Sequence, residues 1–367
     1  MPSNAEENAG AEKESTTPVE PPLERIRVSG DGKHFVRGEH DRKFVLWGCN
    51  YDHDADGRLL EDYWGREWAT VVEDFREMKE IGANVVRIHL QVGRFMEAAD
   101  RPRETQLKQL SQLVDLAEET RLYLDITGLG CYHKRDVPAW YDVLPRAERW
   151  EVQARFWEAV AKTCAHSDAV FCYDLMNEPI LPGKNKKETD WLAGEFGGKH
   201  FVQRIGLELQ GMSRVEMAQA WVDKLESAIR RHDRHHLVTV GVIPWAMTWP
   251  GAKPIFHSPE AGGKLDFVSV HFYPKRGKID EALKALAVYE TGKPLVIEEM
   301  FPLHSGVDGL SDFIRRSRDI TDGWFSFYWG KLPKEYKAAD GIGGAITKAW
   351  LEKFSELGSE MTKHNAP

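Results

Sequence analysis

Eight short β-rich runs, at residues 44–50, 84–90, 122–127, 170–176, 237–243, 267–272, 295–299 and 323–329, alternate with segments of helical periodicity. The helical pattern is carried by Val71, Phe75 and Met78 after the first run, and by Leu107, Leu110, Leu113 and Val114 after the second. After the fourth it is carried by Trp221, Val222, Leu225 and Ile229. The runs are nearly continuous in apolar residues, which is how strands read when both faces of a sheet are covered. Parallel strands need a crossover between them, and amphipathic helices supply it. Eight such units suit a closed barrel better than an open sheet, so the expected fold class is α/β, a single (β/α)8 TIM barrel. Across residues 26–38, two short runs flank an Asp31-Gly32 turn and predict a short N-terminal β-hairpin, placed to plug the barrel floor.

With 367 residues, 42% of them hydrophobic, the chain can bury one large core. Residues 1–22 are acidic, rich in Ser, Thr and Pro, and too poor in apolar groups to offset the entropy of ordering. The domain plan is therefore a disordered acidic tail at 1–24 and one barrel at 25–367. The first 22 residues lack the hydrophobic region of a signal peptide, and no run is long enough to cross a bilayer, so no membrane partner is expected. A net charge of -9 argues against a nucleic-acid partner, which would need clustered Lys and Arg. Cys49, Cys131, Cys164 and Cys172 show no C-x-x-C spacing, which excludes a common zinc pattern and favours free thiols.

In such barrels the chemistry sits where the strands end. Arg87 ends "NVVRIH", Asn177 and Glu178 end "FCYDLMNEP", His271 and Tyr273 end "FVSVHFYP", Glu299 ends "PLVIEEM", and Trp329 ends "GWFSFYW". Each has an ordinary explanation alone: Arg87 as a buried ion-pair partner, His271 as a core histidine, Tyr273 as a rim aromatic, Trp329 as a core indole. Together they are hard to place in an apolar core, because every buried polar group needs a partner. Glu178 and Glu299, on the opposed fourth and seventh strands, face each other across a narrow cleft. Such a pair can cleave a glycosidic bond, one carboxyl protonating the leaving oxygen and the other attacking the anomeric carbon. Arg87 and the Tyr273 hydroxyl would keep Glu299 ionised, and Asn177 is placed to bond a sugar 2-hydroxyl. Thirteen tryptophans offer platforms for sugar rings. Trp329 is expected beneath the sugar at the cleaved bond and Trp245 or Trp249 further out, although rim packing explains the last two equally well. The segment 181–213, with Trp191, Phe196, His200 and Phe201, reads as a cleft wall or lid.

"LMNEP" and "KPLVIEEM" resemble the acid/base and nucleophile motifs of glycoside hydrolase family 5, the cellulase and β-mannanase family of clan A. The similarity runs over most of the chain from about Phe44. It implies a monomeric, retaining β-glycoside hydrolase that cleaves β-linked glucan or mannan-type polysaccharide or oligosaccharide by a two-glutamate double displacement. Glu178 would be the acid/base and Glu299 the nucleophile, with Arg87, Asn177, His271, Tyr273 and Trp329 around the sugar. No metal and no organic cofactor is implied, and a secreted or periplasmic location is.

One departure stands out. "LDITG" carries Thr127 where many members have a histidine, and His89, His53 and His133 are the candidates to fill that space. Strand alternation puts Leu295, Ile297 and Glu299 on one face and Glu298 on the other, so the choice of Glu299 rests on the resemblance. Glu298 is expected to face the helices or a neighbouring charge. Two other readings compete. A metal-dependent barrel hydrolase would need a His-x-His or carboxylate cluster, for which "NYDHD" is a poor match; a non-catalytic sugar-binding barrel would have no use for the intact glutamate pair.

Overall fold

The stripes laid out by the sequence are the faces that pack. In the helix Trp68–Glu80 the buried residues are Val71, Phe75 and Met78, and in Glu104–Thr120 they include Leu110, Leu113 and Val114. The helix Arg214–Arg230 starts at Ser213, whose hydroxyl accepts the Glu216 N–H while the Glu216 carboxylate accepts the Ser213 N–H. This reciprocal pair satisfies two amides that the first turn leaves open. A computed structural model, which describes residues 22–363 apart from Ala55, Asn185 and Tyr328, sets these helices around a parallel sheet.

The barrel strands, in order, are Leu46–Tyr51, Val85–Gln91, Tyr123–Gly130, Val170–Asp174, Leu237–Thr239 with Gly241–Val242, Val268–His271, Leu295–Met300 and Gly323–Ser326. The eighth pairs with the first. The fifth is split at Val240: its first piece pairs with the fourth strand and its second with the sixth, so the sheet closes within this one strand. The architecture is the anticipated (β/α)8 barrel. Its least regular connection follows the fifth strand, where a single turn, Trp245–Thr248, stands in place of a long helix.

At the floor, Ile26–Val28 and Phe35–Arg37 pair antiparallel, and Arg42–Lys43 adds a third strand to the expected hairpin. Phe35 meets the rings of Phe171 and Phe267 edge-on at 5.3 and 5.2 Å, which seals the barrel from below. Of the expected tail, residues 1–21 lie outside the described residues. Leu23 is buried and the Glu24 carboxylate accepts from Arg42, so the last residues assigned to the tail belong to the folded body. All four cysteines are buried free thiols, and no helix among the described residues is long and apolar enough to cross a membrane.

The segment 181–213 is a wall. Leu192–Ala193 and Val202–Arg204 pair with each other, and the latter also pairs with Pro179–Ile180 at the mouth of the fourth strand. Three hydrogen bonds pin it to the barrel: Asn177 amide to Phe201 carbonyl (2.9 Å), Gln203 amide to Leu129 carbonyl (2.8 Å) and His200 N–H to Tyr132 carbonyl (2.8 Å). Trp191 is buried, with the Arg149 guanidinium 4.3 Å from its ring centroid.

Removing the Phe35 ring takes away its edge-on contacts with Phe171 and Phe267 and leaves a cavity at the floor. Phe35→Ala should lower stability by about 3–5 kcal/mol, seen as a lower urea midpoint.

Candidate active site

A guanidinium with no access to solvent organises the strand mouths. Arg87, on the second strand, donates from Nη1 to Asn50 Oδ1 (3.0 Å) and Glu299 Oε1 (2.7 Å), and from Nη2 to Asp174 Oδ2 (2.7 Å) and Asn177 Oδ1 (2.9 Å). Glu298 Oε2 lies 3.6 Å from Nη2. Residues from the first, fourth and seventh strands and the fourth-strand mouth therefore share one cation.

Glu178 follows Asn177 into the cavity although the alternation of a strand would send it away. Its backbone takes φ +44°, uncommon for a residue with a Cβ, while its N–H bonds the Gly241 carbonyl at 2.9 Å. A different irregularity acts on the seventh strand. The pairing register slips by one residue between Ile297 and Met300 on one side, and again opposite Val270 and His271 on the other. Such a bulge re-aims side chains, so Glu298 and Glu299 both turn inward. Glu298 thus does not face the helices: it is fully buried inside the barrel against Arg87 and His271.

His271, also fully buried, holds Nδ1 at 2.9 Å from Glu178 Oε1 and 3.5 Å from Glu299 Oε2, with Nε2 3.6 Å from Glu298 Oε2. Burial alone would push it towards the neutral form, yet Glu299, Glu178 and Glu298 hold its pKa up at about 10. It is an imidazolium. For Glu299, burial pushes the carboxyl above its ordinary range and Glu178 adds to that, while His271, Arg87 and the Tyr273 hydroxyl (2.7 Å) pull against them. Below this layer, neither oxygen of Asp125 has a hydrogen-bond donor. Burial and the nearby Glu298 push the Asp125 carboxyl well up, while Arg87 and His271 hold Glu298 low against burial.

Of the residues expected at the site, Arg87, Asn177, Glu178, His271, Tyr273 and Glu299 converge. Trp245 lines the same cavity with its ring half exposed, and Trp249 lies against it at 5.2 Å rather than on the cavity wall. Trp329 does not line the cavity. It is 1% exposed, with its indole turned towards Asp74 on the helix side of the first strand, because the chain has left the barrel face by that point; Phe327 takes the inward place. Beside Thr127, whose hydroxyl donates to Asp174 (2.9 Å), the imidazole space is filled by His89. Its ring lies between the Tyr132 hydroxyl (2.5 Å) and Asn50 Oδ1 (3.1 Å), and burial with the Arg87 charge keeps it neutral. Asn50, Asp125 and Asp174 were not anticipated, although an Asp inside the apolar runs "YLDIT" and "CYDLM" is itself a signal.

Glu178, His271 and Glu299 offer one ligand atom each within 4.8 Å of one another, the one arrangement among the described residues that could hold a metal ion. Arg87 and His271 already lie against these carboxylates, and their positive charge disfavours a further cation between them. What the arrangement provides is one carboxylate held by Arg87 and Tyr273 and another facing it on a cationic histidine, at the edge of a cavity of about 1150 Å³.

Gly241 is pressed against this cluster: a Cβ there would stand 2.5 Å from Glu298 Oε2 and 2.8 Å from His271 Nε2. Both groups are fully buried, so Gly241→Ala must displace them. It should lower kcat on an aryl β-glycoside by roughly a hundredfold, with far-UV circular dichroism unchanged.

Comparison with known proteins bears on the fold and the family. Residues 46–302 match the family model described as cellulase, glycosyl hydrolase family 5. No curated protein matches the chain. Among solved structures, an exo-β-1,4-mannosidase from Opitutaceae bacterium strain TAV5 superposes with a TM-score of 0.67 at 15% identity over 93% of this chain, which spans 63% of that enzyme's length. The β-mannanase of the blue mussel Mytilus edulis gives 0.62 at 17% identity, covering 92% of this chain and 97% of that one. The Thermobifida fusca endoglucanase catalytic domain gives 0.59 at 16%, covering 91% and 97%. At these identities the likenesses speak for the fold, and the family model speaks for descent: the chain belongs to the cellulase family, glycosyl hydrolase family 5.

Proposed function

We propose that this protein is a retaining β-glycoside hydrolase acting on β-linked glucose or mannose units of a glucan or mannan-type chain or oligosaccharide. The observation that carries the reading is the proximity of the two glutamates, with oxygens within 4.8 Å of each other. Retaining enzymes place their carboxyl groups about 5–5.5 Å apart, whereas inverting ones leave about 6.5–9.5 Å for a water molecule. Glu178 gives its proton to the glycosidic oxygen as that bond breaks, and Glu299 attacks the anomeric carbon from the opposite face to form a glycosyl ester. Glu178 then takes a proton from water, which displaces Glu299 and restores the original configuration. Arg87 and Tyr273 position the attacking carboxylate, Asn177 braces Arg87 against the wall through Phe201, and Trp245 serves as an outer platform.

Azide tests the assignment. With an activated aryl glycoside, Glu299→Gly should yield the inverted α-glycosyl azide and Glu178→Ala the β-glycosyl azide, each from an enzyme slowed at least a hundredfold without azide. An α-azide from Glu298→Gly would move the nucleophile one residue back.

Activity against pH should be bell-shaped, since Glu299 must be ionised while Glu178 is protonated. Because burial raises Glu299, activity should be lost as pH falls at values above the roughly 4.3 of an unperturbed glutamate. A kcat/KM profile flat down to pH 4 would remove Glu299 from the role.

A further inference from the structure

The cavity has polar lining, Glu195 and Lys199 of the wall and His304 among it, but the side chains nearest Glu178 in sequence and pairing are apolar. Ile180 lies two residues beyond Glu178, and Val202 and Ala193 pair alongside it in the wall segment. Across the gap, Glu178 N–H bonds Gly241, and two residues further on come Ile243 and then Trp245. These five side chains line the cavity and carry between them one polar atom, the indole N–H. The acid stands on the side from which the leaving group departs, so this is the surface the leaving group meets. A further pyranose would bring hydroxyls that need partners, and branched aliphatic groups are poor stacking platforms for its face.

A second observation concerns where this molecule exposes apolar groups. Among the described residues six large ones stand most exposed, and five gather here. Phe196 (71% exposed), Trp245 and Leu303 line the cavity, Trp249 lies against Trp245, and Ile342 shares an adjoining groove with Leu303; Val143 alone lies elsewhere. Contiguous apolar surface at the mouth of a site marks what the site receives.

We infer that the leaving group is a hydrocarbon chain: the preferred substrate is a β-glycoside of an extended alkyl alcohol, with the sugar over Glu299 and the chain along Ile180, Val202 and Ile243 towards the Trp245 and Leu303 rim. This rests on the hydrolytic roles proposed above, keeps their β-linked glucose or mannose unit over Glu299, and puts a hydrocarbon in place of the sugar on the leaving-group side. The chemistry balances as a hydrolysis: the glycosidic C–O bond breaks, the alcohol leaves with the proton of Glu178, and water supplies the hydroxyl that ends on the anomeric carbon.

The test is kcat/KM for methyl, butyl and octyl β-glucosides and β-mannosides below their micelle concentrations, beside cellobiose, mannobiose and their trisaccharides. Simple alcohols differ little as leaving groups, so the slope reads burial of the chain. It should rise about fourfold per buried methylene, while the sugar series gains no more than a few-fold over the methyl glycoside. Ile243→Ser should flatten the alkyl slope. A flat alkyl series overturns the inference and leaves hydrolysis standing, most plainly if kcat/KM climbs from methyl glycoside to trisaccharide. No turnover of any glycoside, activated aryl glycosides included, overturns both.

Discussion

A positive charge cannot sit in a dry barrel without partners, and Arg87 has no contact with water. Its two terminal nitrogens meet Asn50, Asp174, Asn177 and Glu299, which arrive from strands that are far apart in the chain. The guanidinium fixes the ends of the first, fourth and seventh strands relative to one another, and the two glutamates inherit that rigidity. A lysine could not do this, since a fork of planar donors is what spans four acceptors at once. The same ion holds the fold and the candidate site together.

The second requirement is that consecutive residues reach one place. A regular strand sends neighbours to opposite faces, so Asn177 with Glu178, and Glu298 with Glu299, could not both serve the cavity. The chain meets this with a left-handed residue at Glu178 and a one-residue slip at the end of the seventh strand. Both irregularities lie at the mouth, where strain is commonly stored, and a further one-residue slip sits lower, between Leu124 and Asp125 opposite the fourth strand.

These two devices also mark how far the sequence could be read. The eight strands and the residues at their ends were legible because periodicity and a polar residue at the end of an apolar run are local signals. The inward turn of Glu298 was not, because a bulge depends on the neighbouring strand. Trp329 misled for a related reason: its position near the end of the eighth run suggested the sugar face, but regular pairing stops at Ser326 and the indole goes to the helix side. Asp125 and Asp174 could have been found, since an aspartate inside an apolar strand demands a buried cation, and Arg87 was in plain view. His89 could be named only as one of three candidates, and it took the pairing of His89 with Thr127 to choose it.

The aromatic floor bears on the traffic of protons. Phe35, Phe171 and Phe267 close the barrel below, and Asp125 and Glu298 have no exposed surface of their own. A proton that either one gains or loses must cross packed protein, so its exchange with bulk water is slower than exchange at the mouth.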